Sequence, residues 1–457
     1  MAHPDLRPQA ILPFESLPPR PFRRAWRVPF RKLLAQQAPI LAGGIYLACH
    51  AYTIPLLKAG PSWVIWPRLD DFATILLALA ILVFRPINSL PSHWRAFERL
   101  LLWANVLTFV SYVFRIVLAG GGEHEVYTGL FQSLRVAQYT IVFVCFIRIG
   151  GGARSPRLML GVVSGVWGFI FAVALANFLG WLPPTALAPH LLDELSSAGA
   201  WGKLVFVPHG VLQGPLGYSN IYMACQMTLL GVLLAFGTRR SAVTRWVVLL
   251  LTFLIVFVSG SRSGLVGFLC ALALAVVAAK WRSWLIVGTA LTLLLVLAAS
   301  SSGWVEFADS TVRRQGGLMR VGEVSSYTER VAIWQDKLSY MKENPSVLLL
   351  GLGWGGILVA GPSNAHMLPL QILMETGIFG LLFFFFLFRA LLRALWKSGI
   401  MGRSLAVATS GLLVASLAQE VFYPIPSMGS FLGVYLALCA LAATGRPDAS
   451  IRRGGTT

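Results

Sequence analysis

Charged residues are scarce in this chain, 12% of its 457 residues, about half of the ~25% that a soluble domain carries. Acidic residues are scarcer still, 18 Asp and Glu against 37 Lys and Arg. A soluble protein of this length needs far more polar surface, and disordered, collagen-like and coiled-coil classes are excluded by the same figures. Cysteine is sparse as well. The five, Cys49, Cys145, Cys225, Cys270 and Cys439, all lie in apolar runs and form no C-x-x-C pair, so they read as small buried hydrophobes rather than a disulfide framework or metal site. Met1 to Gln37 is rich in proline and arginine but lacks an apolar core. It therefore reads as a cytosolic tail, not a cleavable signal peptide.

What the chain has in abundance is apolar sequence, 56% of its residues, with a mean hydropathy of +0.72. The apolar residues fall in runs of roughly 16 to 25, long enough to cross ~30 Å of hydrocarbon as helices. The expected class is an all-α polytopic membrane protein of about twelve spans, near 39–57, 70–84, 99–119, 131–149, 157–181, 219–236, 242–259, 263–279, 283–299, 366–388, 403–421 and 427–444. Five regions follow: a basic cytoplasmic tail 1–38, spans one to nine over 39–299, a large outer loop 300–365, spans ten to twelve over 366–444, and a cytoplasmic tail 445–457.

An even number of spans puts both termini on one side. With the termini cytoplasmic, 25 of the 37 basic residues fall in cytoplasmic segments, and the outer loops Gly120–Leu130 and Val421–Pro426 have none. That distribution obeys the positive-inside rule. Most of the net charge of +19 is thus explained by orientation rather than nucleic-acid binding. The outer side holds two sizeable loops, about 182–218 and 300–365. Within the larger, Val331, Trp334, Leu338 and Met341 recur at helical spacing over Thr328–Glu343, and Asn344-Pro345 is a stop signal. The spacing predicts an amphipathic helix on the outer membrane face, with Arg330 and Trp334 sharing one side.

Several residues break the apolar pattern. Arg262 stands in the turn Ser259-Gly-Ser-Arg-Ser-Gly264, the lone charge in the surrounding stretch. Accessible backbone N–H groups plus a planar guanidinium suit an anion, although an interfacial arginine can also simply snorkel to water. His366 follows Pro362-Ser-Asn-Ala, with Ser363 or Asn364 placed to cap the next helix and Pro369 in its first turn. A neutral imidazole there can accept a hydroxyl proton, or merely cap the helix. Glu375, deeper in that span, reads as a satisfied buried carboxylate. Gly351-Leu-Gly-Trp-Gly-Gly356 matches G-x-G-x-x-G but has no βαβ context and no acidic residue in place, so a flexible turn open to a ligand is the better reading. Asp70-Asp71 reads as an acidic pair favoured by a helix N-terminus. His50, Arg115 and Arg135 are polar residues in costly places, suited to lining a cavity.

Ser-Gly-Ser-Arg-Ser-Gly at 259–264, Arg330 with Trp334, Asn-Ala-His366 entering an apolar helix with Glu-x-Gly, and Gly217-Tyr-Ser-Asn220 together resemble the O-antigen ligase family. The wider group includes O-antigen polymerases and protein O-oligosaccharyltransferases. The likeness covers about 215–390. It implies a GT-C type glycosyltransferase of the bacterial inner membrane, with its active site periplasmic and with no metal or other cofactor. The implied donor is polysaccharide on undecaprenyl diphosphate and the acceptor a sugar hydroxyl of lipid A–core. Residue by residue, the resemblance implies His366 as the catalytic histidine and Arg262 and Arg330 as diphosphate-binding arginines. It also points to Arg135, Tyr218 and Asn220 as substrate-binding residues. The alternatives are a polymerase, a protein transferase or, from another class, a lipid-linked glycan transporter. A transporter favours broken helices and polar residues at the midplane, whereas the notable residues here gather toward one surface.

Overall fold

Backbone groups inside a bilayer must find partners within the chain, which leaves helices as the form open to apolar runs of this length. The computed structural model describes residues 30–51, 67–84, 90–119, 123–150, 155–178, 220–237, 241–259, 261–279, 325–357, 364–424 and 431–444, and every regular element among them is helical. In chain order these are α1 (Phe30–Cys49), α2 (Leu69–Phe84), α3 (Arg95–Ala119), α4 (Glu123–Ile149), α5 (Ser155–Phe178), α6 (Asn220–Phe236), α7 (Ala242–Val258) and α8 (Arg262–Ala279). Then come α9 (Ser325–Glu343), α10 (Pro345–Leu350), α11 (Leu368–Trp396), α12 (Gly399–Ala415) and α13 (Phe431–Thr444). Four helices are long and apolar enough to cross a membrane, over Ser92–Val117, Val126–Ile149, Leu158–Ala176 and Leu368–Trp396, and six shorter apolar helices accompany them. The chain is a multi-pass membrane protein.

Eleven of the twelve expected spans coincide with helices; the ninth, 283–299, lies outside the described residues, as do 1–29, 300–324 and 445–457. The ends differ for identifiable reasons. α4 starts at Glu123 instead of 131. Tertiary contacts hold its first turns, since the Tyr112 hydroxyl donates to Val126 O at 3.3 Å. α11 runs past 388 to Trp396, because arginines such as Arg389 and Arg393 are good helix formers and snorkel to the interface. The N-cap of α11 is Met367 and not Asn364; Ser363 lies outside the described residues. The helix expected over 328–343 is α9, which stops at Glu343 with Pro345 opening α10, as the Asn-Pro signal predicts, but its faces are not sorted as expected: Leu338 is exposed and Lys337 is buried. The eleventh span ends at Ala415 rather than 421. The Ser416 carbonyl is taken by the Leu368 N–H at 2.9 Å, so the chain turns back and releases 416–424 from the helix.

Small residues set the spacing of the helices that carry the site. A side chain on Gly411 would put its first carbon 2.2 Å from Gly267 O, and one on Gly267 would meet Gly411 O at 2.9 Å. α8 and α12 therefore touch backbone to backbone, the close approach that small residues permit in membranes. One turn earlier, a carbon added to Gly264 would lie 2.4 Å from the Ala224 side chain on α6. The first turn of α8, which begins with Arg262, is fixed from two sides.

α11 is broken where it passes the glycine-rich loop. Gly377 has φ 66 and ψ −172 inside the helix, which leaves carbonyls of the preceding turn without helical partners. The loop supplies them: Leu352 N–H donates to Met374 O at 2.7 Å and Gly353 N–H to Glu375 O at 2.9 Å. Gly351, Gly353 and Gly355 all have positive φ, and a side chain on Gly351 would run into Glu375 O at 2.3 Å. The expected flexible, ligand-facing turn is instead a plug packed on the protein's own backbone. The glycines are there because two backbones meet.

Gly411→Leu should overpack the α8–α12 seam by about 1–3 kcal/mol and lower the thermal midpoint in detergent. Gly161→Leu, where nothing lies within 4 Å, should melt like the wild type. Equal melting of the two variants would show that the seam does not constrain the bundle.

Candidate active site

The segment 416–424, released from α12, folds back over the start of α11 and carries Glu420, which is 1% exposed. One oxygen of its carboxylate accepts the backbone N–H of His366 in a short hydrogen bond. The other lies 3.6 Å from His366 Nδ1. His366 has φ 50, the positive-φ residue other than glycine among those described, so its backbone is strained. Glu420 holds that residue by its backbone and faces its ring, and the imidazole stays 37% exposed.

α9 docks on the same two segments. Arg330 Nη1 donates to Ala418 O at 3.0 Å, and Trp334 Nε1 donates to Ala365 O at 2.7 Å, beside His366. The Ala365 N–H in turn donates to Gln371 Oε1 at 3.0 Å. Burial pulls the Arg330 pKa below its ordinary value, the Glu420 charge acts against this, and the charge of Arg262 lowers it further. Arg262, Arg330, Glu420 and His366 thus share one electrostatic neighbourhood. Arg262 is the first residue of α8, whose start is capped by Ser261 Oγ accepting the Gly264 N–H at 3.2 Å. Among the described residues, two guanidinium groups and a helix N-terminus against one carboxylate leave a positive excess suited to an anionic ligand.

Residues 247–385 match the family model described as O-antigen ligase. This stretch is similar to the O-antigen ligase family. It spans α7 to most of α11 and holds Arg262, Arg330 and His366; Glu420 lies beyond it. No curated protein matches the chain.

The matched stretch accounts for the convergent residues but not for the other sequence candidates. Arg135 faces elsewhere: its guanidinium forms a bidentate pair with Asp71, lies 3.5 Å from Asp70 and stacks over the Phe131 ring at 4.7 Å. The acidic pair at the start of α2 is therefore held by an arginine as well as by the helix terminus. Arg115 donates to Gly355 O at 2.7 Å and so anchors the glycine loop. Asn220 opens α6, and Tyr218 lies outside the described residues. Glu375 is satisfied as expected: Gln371 Nε2 donates to it at 2.9 Å, and the Tyr423 hydroxyl donates in a short bond.

Sequence reasoning missed Glu420, because it was counted as part of the eleventh span. A signal was present. Glu420 is the one charged residue between Arg403 and Arg446, the same isolation that singles out Arg262.

Arg135→Met leaves Asp71 without its cation, with only the Arg68 N–H and the Gln138 amide still donating to it, and should destabilise the fold by about 3 kcal/mol, read as a lower melting midpoint. The double variant Arg135→Met/Asp71→Leu should lose less than the two single variants combined. A folded, fully stable Arg135→Met that fails to bind substrate would instead assign Arg135 to the ligand.

Proposed function

We propose that this chain is an O-antigen ligase, with twelve spans in a GT-C layout, both termini cytoplasmic and its site on the periplasmic face of the inner membrane. It takes polysaccharide from undecaprenyl diphosphate and joins it to a sugar hydroxyl of lipid A–core. The observation that carries the reading is Glu420 set against His366 and in the field of Arg330, on which the charge of Arg262 also acts, within and beside the stretch that matches the ligase family.

The chemistry follows from that arrangement. The imidazole of His366 takes the proton of the acceptor hydroxyl as its oxygen attacks the anomeric carbon of the donor. The bond from that carbon to the diphosphate oxygen breaks, and direct displacement inverts the configuration. Undecaprenyl diphosphate leaves with the negative charge that Arg262 and Arg330 offset. Glu420 is a positioning residue: it holds His366 in its strained conformation and sets the imidazole through Nδ1, as a third group orients the base in other acid–base pairs. The 3.6 Å approach tightens into a hydrogen bond once the ring takes up a proton. The energy is stored in the glycosyl diphosphate, so no nucleotide takes part.

In a host with the gene deleted, loss of the lipopolysaccharide ladder, with polymer accumulating on undecaprenyl diphosphate, is the expected result. Core carrying a single repeat would make the protein a polymerase, and an unchanged ladder would turn the search to glycoproteins. His366→Ala should fail to restore the ladder while being expressed and inserted normally. Arg262→Lys and Arg330→Lys should each slow transfer by about 10²–10³-fold; wild-type rates in these variants would remove the diphosphate clamp from the mechanism. Glu420→Gln should lower kcat with little change in KM, and Glu420→Ala should lower it further.

A further inference from the structure

Glu420 can orient His366 only if the irregular segment that carries it is fixed, and the structure fixes it to α11 itself. The Tyr423 N–H donates to Glu420 O at 3.1 Å. The hydroxyl of the same tyrosine reaches the Glu375 carboxylate and lies 3.0 Å from Gln132 Oε1 of α4. Its ring packs against Trp354 of the glycine loop, centroids 4.9 Å apart. Glu375 stands on α11, two turns below His366. The result is a closed circuit: the start of α11, Glu420, Tyr423, Glu375 and back along the helix. Glu375 also accepts a hydrogen bond from Gln371, and the backbone N–H groups of Gly355 and Ile357 act on its carboxylate. Its carboxylate, fully buried, ties the glycine plug, α11 and the turn to one point. A buried polar network with its members satisfied is rigid, and it fixes the parts it joins.

We propose that Glu375 and Tyr423 are positioning residues for His366, forming a latch that holds the 416–424 turn, and with it Glu420, in register with the start of α11. The role in transfer rests on the ligase reading; the latch itself does not. Removing the Tyr423 hydroxyl opens the circuit without touching His366, Arg262 or Arg330. A glutamine at 375 keeps it closed, because the carboxamide donates to the tyrosine oxygen while the phenolic proton goes to Gln132. A leucine at 375 cannot.

The test compares Tyr423→Phe, Glu375→Gln and Glu375→Leu in the full-length protein in detergent by hydrogen exchange, melting, and transfer kinetics with a lipid-linked glycan donor. Tyr423→Phe and Glu375→Leu should speed exchange in peptides covering 416–424 and lower kcat by about 10²-fold, as misplacement by an ångström does, with the donor KM within about twofold. Glu375→Gln should keep both near wild type. Unchanged exchange in Tyr423→Phe overturns the latch, and faster exchange with an unchanged kcat overturns its role in positioning His366. If Glu375→Leu does not fold, the Tyr423→Phe result decides alone. Wild-type protein inactive on every lipid-linked donor overturns the ligase reading instead, and exchange in 416–424 then supports or overturns the latch by itself.

Discussion

A carboxylate shut away from water is held in a protein only where hydrogen bonds and cations replace the water it has lost. Glu420 meets that condition in part, with one oxygen hydrogen-bonded and the other without a hydrogen-bond partner among the described residues, and it draws three separate pieces of chain to one place. It receives the backbone N–H of His366 at the lip of α11, faces the imidazole of the same residue and stands within the field of Arg330 from α9. The neighbouring Ala418 carbonyl takes the Arg330 guanidinium itself. The left-handed backbone of His366, unfavourable for a residue with a side chain, persists because the surroundings determine it from both sides. Much of the geometry of the outer face follows from this one group.

The second organising constraint is the bilayer, which leaves no water to satisfy a broken helix. α11 is interrupted at Gly377, and the freed carbonyls of Met374 and Glu375 are paired by the N–H groups of the glycine loop. Cations then pair with carbonyls of that loop: Arg115 at Gly355 O and Lys337 at Ile357 O. Burial lowers the Lys337 pKa, consistent with an ammonium group committed to a structural contact rather than to solvent. Basic residues in this protein therefore divide by partner. Arg115, Arg135 and Lys337 are committed to the protein's own carbonyls and carboxylates; Arg330 also donates to the Ala418 carbonyl but lies in the field of both Glu420 and Arg262, where positive charge is in excess among the described residues.

That excess links the architecture to the proposed chemistry. A transfer from a lipid-linked diphosphate has to stabilise charge on the leaving group at the membrane surface and remove a proton from a neutral hydroxyl within a few ångströms. Preorganised donors do this most effectively where water is scarce and nothing has to reorient during the reaction. The small-residue seam between α8 and α12 fixes Arg262, the docking of α9 fixes Arg330, and the Glu420 turn fixes His366.

The sequence by itself determined the membrane class, eleven helices, α9 with its proline-marked end, and the residues that break the apolar pattern, but not which of these approach one another. These were legible because each is a local signal: apolar run length, helical spacing, or a polar residue where its desolvation is costly. Helix ends were less legible, as α4 and α12 begin or stop where tertiary hydrogen bonds decide. Only the tertiary structure assigned partners to the isolated charges. Arg135 and Arg262 look alike as sequence, yet one is filled by Asp71 and the other stands in the field of Arg330. The glycine loop looked open to a ligand and is closed on α11. His366 and Glu420 are 54 residues apart, and Arg330 and Ala418 are 88 apart. Such pairings are set by how helices pack, through contacts between backbones and small residues that leave no periodic trace along the chain.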